Sequence, residues 1–207
     1  MNLGIENRVA LVMGAGGGLG AAISRALAAE GVRVAGADVN AEALEATRES
    51  IGSASGSFSA VLADLSDHTS LDAAVARVVD ELGEVDILVN NTGGPPPSPA
   101  TGVPGDVWQS HFTSMVASVF HLTDLVLPSM RRRGWGRVIT STSSGVIAPI
   151  ANLGVSNALR STLLGWSKTV ANEVGRDGVT ANIVLPGRIA TSRIDPSTVF
   201  FSPTISM

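Results

Sequence analysis

The stretch Val9-Ala10-Leu11-Val12-Met13-Gly14-Ala15-Gly16-Gly17-Gly18-Leu19-Gly20 decides how the rest of the chain is read. Val9 to Met13 form an unbroken apolar run, the mark of a strand buried on both faces. After the glycines, Ala21, Ala22, Ile23 and Leu27 give an apolar helical face that Gly31 stops. A strand, a glycine turn and a helix start in that order build a cradle for phosphate. The helix N-terminus offers unpaired N–H groups and the positive end of a dipole, and glycines leave room for a pyrophosphate to approach. The spacing is not G-x-G-x-x-G counted from Gly14, because Leu19 stands where the last glycine would fall; the glycines run 14, 18, 20. Taken alone, such a turn also has a plain reading as tight-turn chemistry.

Working outward, 207 residues suit one domain with a full core. Charged residues make up only 15% against 44% apolar, which fits a sheet covered on both faces and not a disordered chain. The net charge is −4, and the one basic run is Arg131-Arg132-Arg133, so the electrostatic footprint of a nucleic-acid binder is missing. Those arginines precede Gly134 and are expected to be solvated cations at a helix C-terminus. With no cysteine there is no disulfide or thiolate chemistry, no metal site is expected, and a reducing, cytoplasmic setting is anticipated. No signal-type or membrane-spanning apolar segment is visible, so no membrane partner is expected.

Strands and helices then alternate. Val32 to Ala37 read as a second strand ending in Asp38, and Asn40 is placed to cap a helix bearing Leu44, Thr47, Arg48 and Ile51. An acid at the end of this strand accepts hydrogen bonds from an adenosine 2′-hydroxyl and repels a 2′-phosphate, which favours NAD over NADP. Phe58 to Ala63 form a third strand before Asp64-Leu65, and Leu71, Val75, Val78 and Leu82 mark a helix started by Ser66 or Asp67. Val85 to Val89 form a fourth strand, followed by Asn90-Asn91-Thr92-Gly93-Gly94. A proline loop at 95–99 leads to a long helix from Trp108 to about Met130. Arg137 to Thr140 form strand five, with Ser141-Thr142-Ser143-Ser144-Gly145 at its exit; a helix spans Gly154 to Val174; and strand six runs from Val179 to Leu185 before Pro186-Gly187-Arg188-Ile189-Ala190-Thr191. This order predicts an α/β domain with a doubly wound parallel sheet of about six strands and a ligand at the strands' carboxyl ends.

The glycine turn, with Met13 in place of a threonine, resembles the TGxxxGxG turn of the short-chain dehydrogenase/reductase family, and Asn90 to Gly93 resemble its NNAG. Asp38, Asp64, Trp108, Gly136-Arg137, Ser143 and Pro186-Gly187 through Thr191 follow in family order. The resemblance, closest in kind to 3-oxoacyl-acyl-carrier-protein reductases, implies a Rossmann-type domain over residues 1–194 that binds NAD. Implied cofactor contacts are Gly14, Gly16, Gly17, Gly18, Leu19 and Gly20 in the turn, Asp38 and Val39, Asp64 and Leu65, Asn91, Thr92 and Gly93, Arg160, and Pro186, Gly187, Ile189 and Thr191. Ser143 is the implied catalytic serine. It also implies a homodimer or homotetramer in which the Trp108–Met130 and Gly154–Val174 helices pair.

The chain departs from the family pattern at the expected Tyr-xxx-Lys, where Ser156 and Arg160 stand, and at the expected helix asparagine, where Met115 stands; there is no tyrosine in the 207 residues. A serine hydroxyl polarises a substrate oxygen but does not readily exchange its proton, and arginine stays protonated. Ser143, Ser156 and Arg160 are the candidate catalytic set, with Arg160 on the cofactor ribose. His111, one turn before Met115, is a further titratable candidate; His68 and His121 have less to recommend them. After Thr191 the family adds a covering segment, a helix and a seventh strand, which residues 195–207 are too short to supply. That tail, with Val199-Phe200-Phe201, is expected to pack at the open sheet edge or remain unstructured. Two readings follow: an NAD(H)-dependent oxidoreductase for a carbonyl or secondary alcohol, or an NAD-binding or scaffolding protein with impaired catalysis. The first is preferred because the resemblance covers most of the chain.

Overall fold

The computed structural model describes residues 3–52, 57–187 and 189. Six parallel strands, β1 (Val9–Met13), β2 (Arg33–Asp38), β3 (Phe58–Leu62), β4 (Ile87–Asn91), β5 (Gly136–Ser141) and β6 (Val179–Val184), form one sheet in the order β3-β2-β1-β4-β5-β6. Every residue of β1 is buried. Val9, Leu11 and Met13 face a core shared with α3 (His68–Leu82), α5 (Ser118–Arg133) and α6 (Gly154–Val174). Ala10 and Val12 face the other core, against α1 (Gly18–Ala29) and α2 (Ala41–Ile51). Alternate side chains thus enter opposite layers, which is why β1 must be apolar throughout. The strand order reverses between β1 and β4, and the crevice at that switch point is where open sheets of this kind take ligands.

Local chemistry explains the element ends. The Asn40 side chain accepts from the Ala43 amide at the start of α2, and Asp67 accepts from the Thr69 amide at the start of α3. α5 stops at Gly134, whose φ of +66° is left-handed. The arginines before it are not all solvated. Arg133 donates to the Val85 carbonyl (2.8 Å) and to Asp86 (3.2 Å), and Arg131 pairs with Asp177 at 2.6 Å.

Several expected elements move at their ends: β3 and β6 stop earlier, at Leu62 and Val184, and β5 is longer, from Gly136 to Ser141. β4 begins at Ile87 and runs on through Asn90 and Asn91, because both stay in register with Thr140 and Ser141 of β5. β2 starts at Arg33, since the Val32 amide still bonds to Leu27 at the end of α1. The long helix begins before Trp108 and is divided into α4 (Gly105–Phe112), a π-helical turn (Thr113–Ala117) and α5, which continues to Arg133. Thr191 and the 195–207 tail lie outside the described residues.

Candidate active site

A cavity of about 1280 Å³ opens along the carboxyl edge of the sheet. Gly14, Gly17, Gly18 and Leu19 form its floor. Gly17 is the N-cap of α1 and places no capping side chain there, and the first turn carries no acid. The first-turn amides therefore remain available to an anion, with the helix dipole favouring it. Gly14 is required by two constraints: its φ is +63°, and a Cβ would lie 2.7 Å from the Asn91 carbonyl oxygen. Asn91 closes the same corner by donating from its amide to the Met13 carbonyl at 3.3 Å.

At one end of the cavity, Asp38, Val39, Ala63, Asp64 and Leu65 form the wall. The Asp38 carboxylate accepts from the Gly16 amide at one oxygen and the Asn40 amide at the other, each at 3.1 Å. The carboxylate is thereby fixed at the tip of β2, facing the turn. The Ser66 hydroxyl, with the Ser66 amide, holds the Asp64 carboxyl below the usual carboxylate range. At the other end lie Ser143, Ser156, Arg160, Pro186, Gly187 and Ile189. Ser143 Oγ accepts from the Gly145 amide at 3.0 Å, and Ser156 Oγ accepts from Arg160 Nε at 3.3 Å. Each hydroxyl has an acceptor lone pair engaged by the protein, leaving its proton to donate into the cavity.

Ser156 and Arg160 are both 8% exposed. The remaining guanidinium nitrogens donate to the carbonyls of Gly93 (2.7 Å) and Ser141 (3.3 Å). Arg160 thus ties α6 to the exits of β4 and β5, a role its place in the sequence did not announce.

Most of the anticipated contact residues converge on this one cavity, Asn91, Thr92 and Gly93 among them, while Gly16 and Gly20 do not line it. A Cβ on Gly20 would meet the Gly14 carbonyl oxygen at 2.0 Å, so this glycine lets the helix approach the turn. Sequence reasoning did not place Pro95, Pro96, Pro97, Ser114, Ile150 and Leu153 on the wall, although the proline run was visible. Ser98 and the 152–154 segment fasten two of these loops, through Ser98 N–H to the Asn152 carbonyl (2.8 Å) and Gly154 N–H to the Ser98 carbonyl (2.9 Å). His111 and Met115 also face the cavity. His121 instead pairs with Asp72 at 2.7 Å and stacks on His68. Among the described residues no group of three or more His, Cys, Asp or Glu could hold a metal, and no helix is long and apolar enough to cross a membrane.

The family model for short chain dehydrogenases matches residues 8–198. The chain belongs to the short-chain dehydrogenase family. It is 34% identical over 191 residues to the 3-oxoacyl-acyl-carrier-protein reductase FabG of Escherichia coli, covering 91% of this chain and 76% of that protein. It is 32% identical to the D-threitol dehydrogenase of Mycolicibacterium smegmatis, covering 90% and 72%. Among solved structures, L-sorbose reductase from Gluconobacter frateurii, complexed with NADPH and L-sorbose, superposes with a TM-score of 0.88 at 29% identity, over 93% of this chain and 74% of that one. An actinorhodin polyketide ketoreductase with NADPH gives 0.85 at 31%, over 90% and 72%. Family and fold together place this chain among Rossmann-type oxidoreductases, a family that binds a nicotinamide cofactor and whose enzymes act on small molecules.

Proposed function

We propose that this short-chain dehydrogenase binds NAD(H) and transfers hydride between the nicotinamide and a carbonyl or secondary alcohol, with 3-oxoacyl compounds the first substrates to test. The observation that carries the cofactor choice is the fixed carboxylate of Asp38, held by the Gly16 and Asn40 amides. A carboxylate there accepts from a ribose diol and repels a 2′-phosphate. The preference proposed is therefore opposite to the NADPH of the two neighbours named above. The uncapped start of α1, with Gly17 and Gly18 on the cavity floor, fits a pyrophosphate. When bound, the nicotinamide supplies or accepts the hydride.

This chain's own residues orient and polarise. Ser143 and Ser156 direct their O–H groups toward the substrate oxygen, and Arg160 fixes Ser156 and the Gly93 carbonyl so that this wall of the cavity does not shift. Such preorganised donors act on charge that develops during the reaction. Arg160 keeps the ribose contact expected of it beside this positioning role. We also infer a homodimer or homotetramer paired through α5 and α6, and a cytoplasmic enzyme.

Calorimetry with NADH and NADPH, followed by NADH oxidation with ketones, 3-oxoacyl thioesters and sugar-like substrates, tests the reading. NADH binds more tightly and at least one carbonyl is reduced; tighter NADPH binding, or no turnover across the panel, overturns it. Ser143→Ala lowers kcat about 10²–10³-fold while NADH affinity stays within twofold.

A further inference from the structure

Resting on the oxidoreductase reading above, we propose that His111 is the group that gives a proton to the substrate oxygen in reduction and takes it back in oxidation. The 207 residues contain no tyrosine and no cysteine, so the acid–base group must be of another kind. Among the described residues, the charged side chains that share the cavity wall with His111 are Asp38, Asp64 and Arg160. The two carboxylates stand at the end of β2 and just past β3, away from Ser143, which follows β5, and from Ser156 on α6. A guanidinium remains protonated, and a serine hydroxyl is too weak an acid to exchange its proton unaided. Imidazole is the side chain suited to proton exchange near neutral pH.

Its placement supports the assignment. His111 is the penultimate residue of α4, the π-helical turn Thr113–Ala117 follows Phe112 at once, and His111, Ser114 and Met115 all face the cavity. Such widened turns recur at functional sites. The His111 ring makes no hydrogen bond or ion pair with any of the described residues, whereas His121 is held by Asp72 and stacked on His68. Asp106 is the acid on its own helix, and Arg160 is the charged group that α6, which packs against α4, presents to the same cavity.

In reduction the carbonyl carbon receives a hydride from the reduced nicotinamide and the C=O π pair moves to oxygen. One N–H bond of the His111 imidazolium breaks, its pair stays on nitrogen, and the proton bonds to that oxygen; the neutral ring recovers a proton from water. Oxidation runs the same transfers in reverse. Because reduction consumes the imidazolium proton and oxidation returns it, reduction slows as pH rises and oxidation quickens.

The test compares His111→Gln with His121→Gln on a carbonyl that the wild type reduces with NADH. His111→Gln loses about 10²–10⁴-fold in kcat, loses the decline with rising pH, and keeps its NADH affinity within twofold; His121→Gln retains the rate. Independently of turnover, an NMR titration of the wild-type imidazoles with NADH shifts the His111 signals and leaves those of His68 and His121 in place. Retention of rate and pH profile by His111→Gln overturns the inference and leaves the oxidoreductase reading standing. So does a His111 signal that stays still while the glycine-turn amides move. A wild type that binds NADH yet reduces nothing in the panel overturns both.

Discussion

Asp38 carries two structural bonds and the cofactor choice at once. Because Gly16 and Asn40 each donate to one of its oxygens, the carboxylate is already oriented before any ligand arrives. Asp38→Asn removes the charge, keeps one acceptor and sacrifices one of the two amide bonds. The expected outcome is weaker NADH binding and relief of repulsion toward NADPH, moving the ratio of their dissociation constants about 10–100-fold toward NADPH by calorimetry. An unchanged ratio would remove Asp38 from the specificity argument. The carboxylate was legible in the sequence because it closes an apolar strand. The partners of Arg160 were not, since Gly93 and Ser141 lie 67 and 19 residues away and meet it only when β4, β5 and α6 come together. Residue spacing places Ser156 and Arg160 one turn apart; it does not reveal which carbonyls the guanidinium will reach.

At the scale of elements, the glycines of the first turn divide into two kinds. A Cβ on Gly20 would collide with backbone, the Gly14 oxygen at 2.0 Å and its carbon at 2.6 Å, so the helix must retreat. On Gly17 the nearest atom would be the Gly14 oxygen at 3.4 Å, ordinary contact, while the methyl group would enter the cavity. Gly20→Ala is therefore expected to lower stability by about 1–3 kcal/mol in urea unfolding. Gly17→Ala keeps the wild-type midpoint and loses NADH affinity about tenfold or more. Equal effects from both would mean that the turn is merely a tight connection. The six strands could be read because each is short, apolar and bounded by a turn or cap. The end of β4 could not: Asn90 and Asn91 have loop chemistry but stay paired because β5 offers Thr140 and Ser141 in register. The π-helical turn was equally hidden, since Met115, Val119 and Leu122 fit ordinary helical spacing whether or not one turn is widened.

Across the whole molecule, the cavity occupies the carboxyl edge of the sheet, and a polar tie closes the amino edge. Asp86 is 8% exposed and accepts from the Val9 amide (3.0 Å), from Arg8 before β1 (3.3 Å) and from Arg133 at the end of α5 (3.2 Å). Asp86→Ala leaves the buried Val9 amide without its acceptor and takes the carboxylate from Arg8 and from Arg133, which keeps the Val85 carbonyl. The arginines are each about a third exposed, which screens their share, so the expected loss is about 2–3 kcal/mol, below the 3–5 typical of a fully buried pair. For a domain of this size that lowers Tm by roughly 4–12 °C. Yet Asp86 precedes β4, and the cavity begins at its other end, five residues or about 16 Å along the strand. Effects separated by more than about 10 Å usually add independently. The Asp86→Ala protein should bind NADH with wild-type affinity at 20 °C, and saturating NADH should stabilise it against urea by the same free energy as the wild type, because that increment depends on ligand concentration and Kd alone. Loss of NADH affinity in the folded variant would show that the two edges of the sheet are coupled, and that the glycine turn depends on the amino-edge tie for its shape.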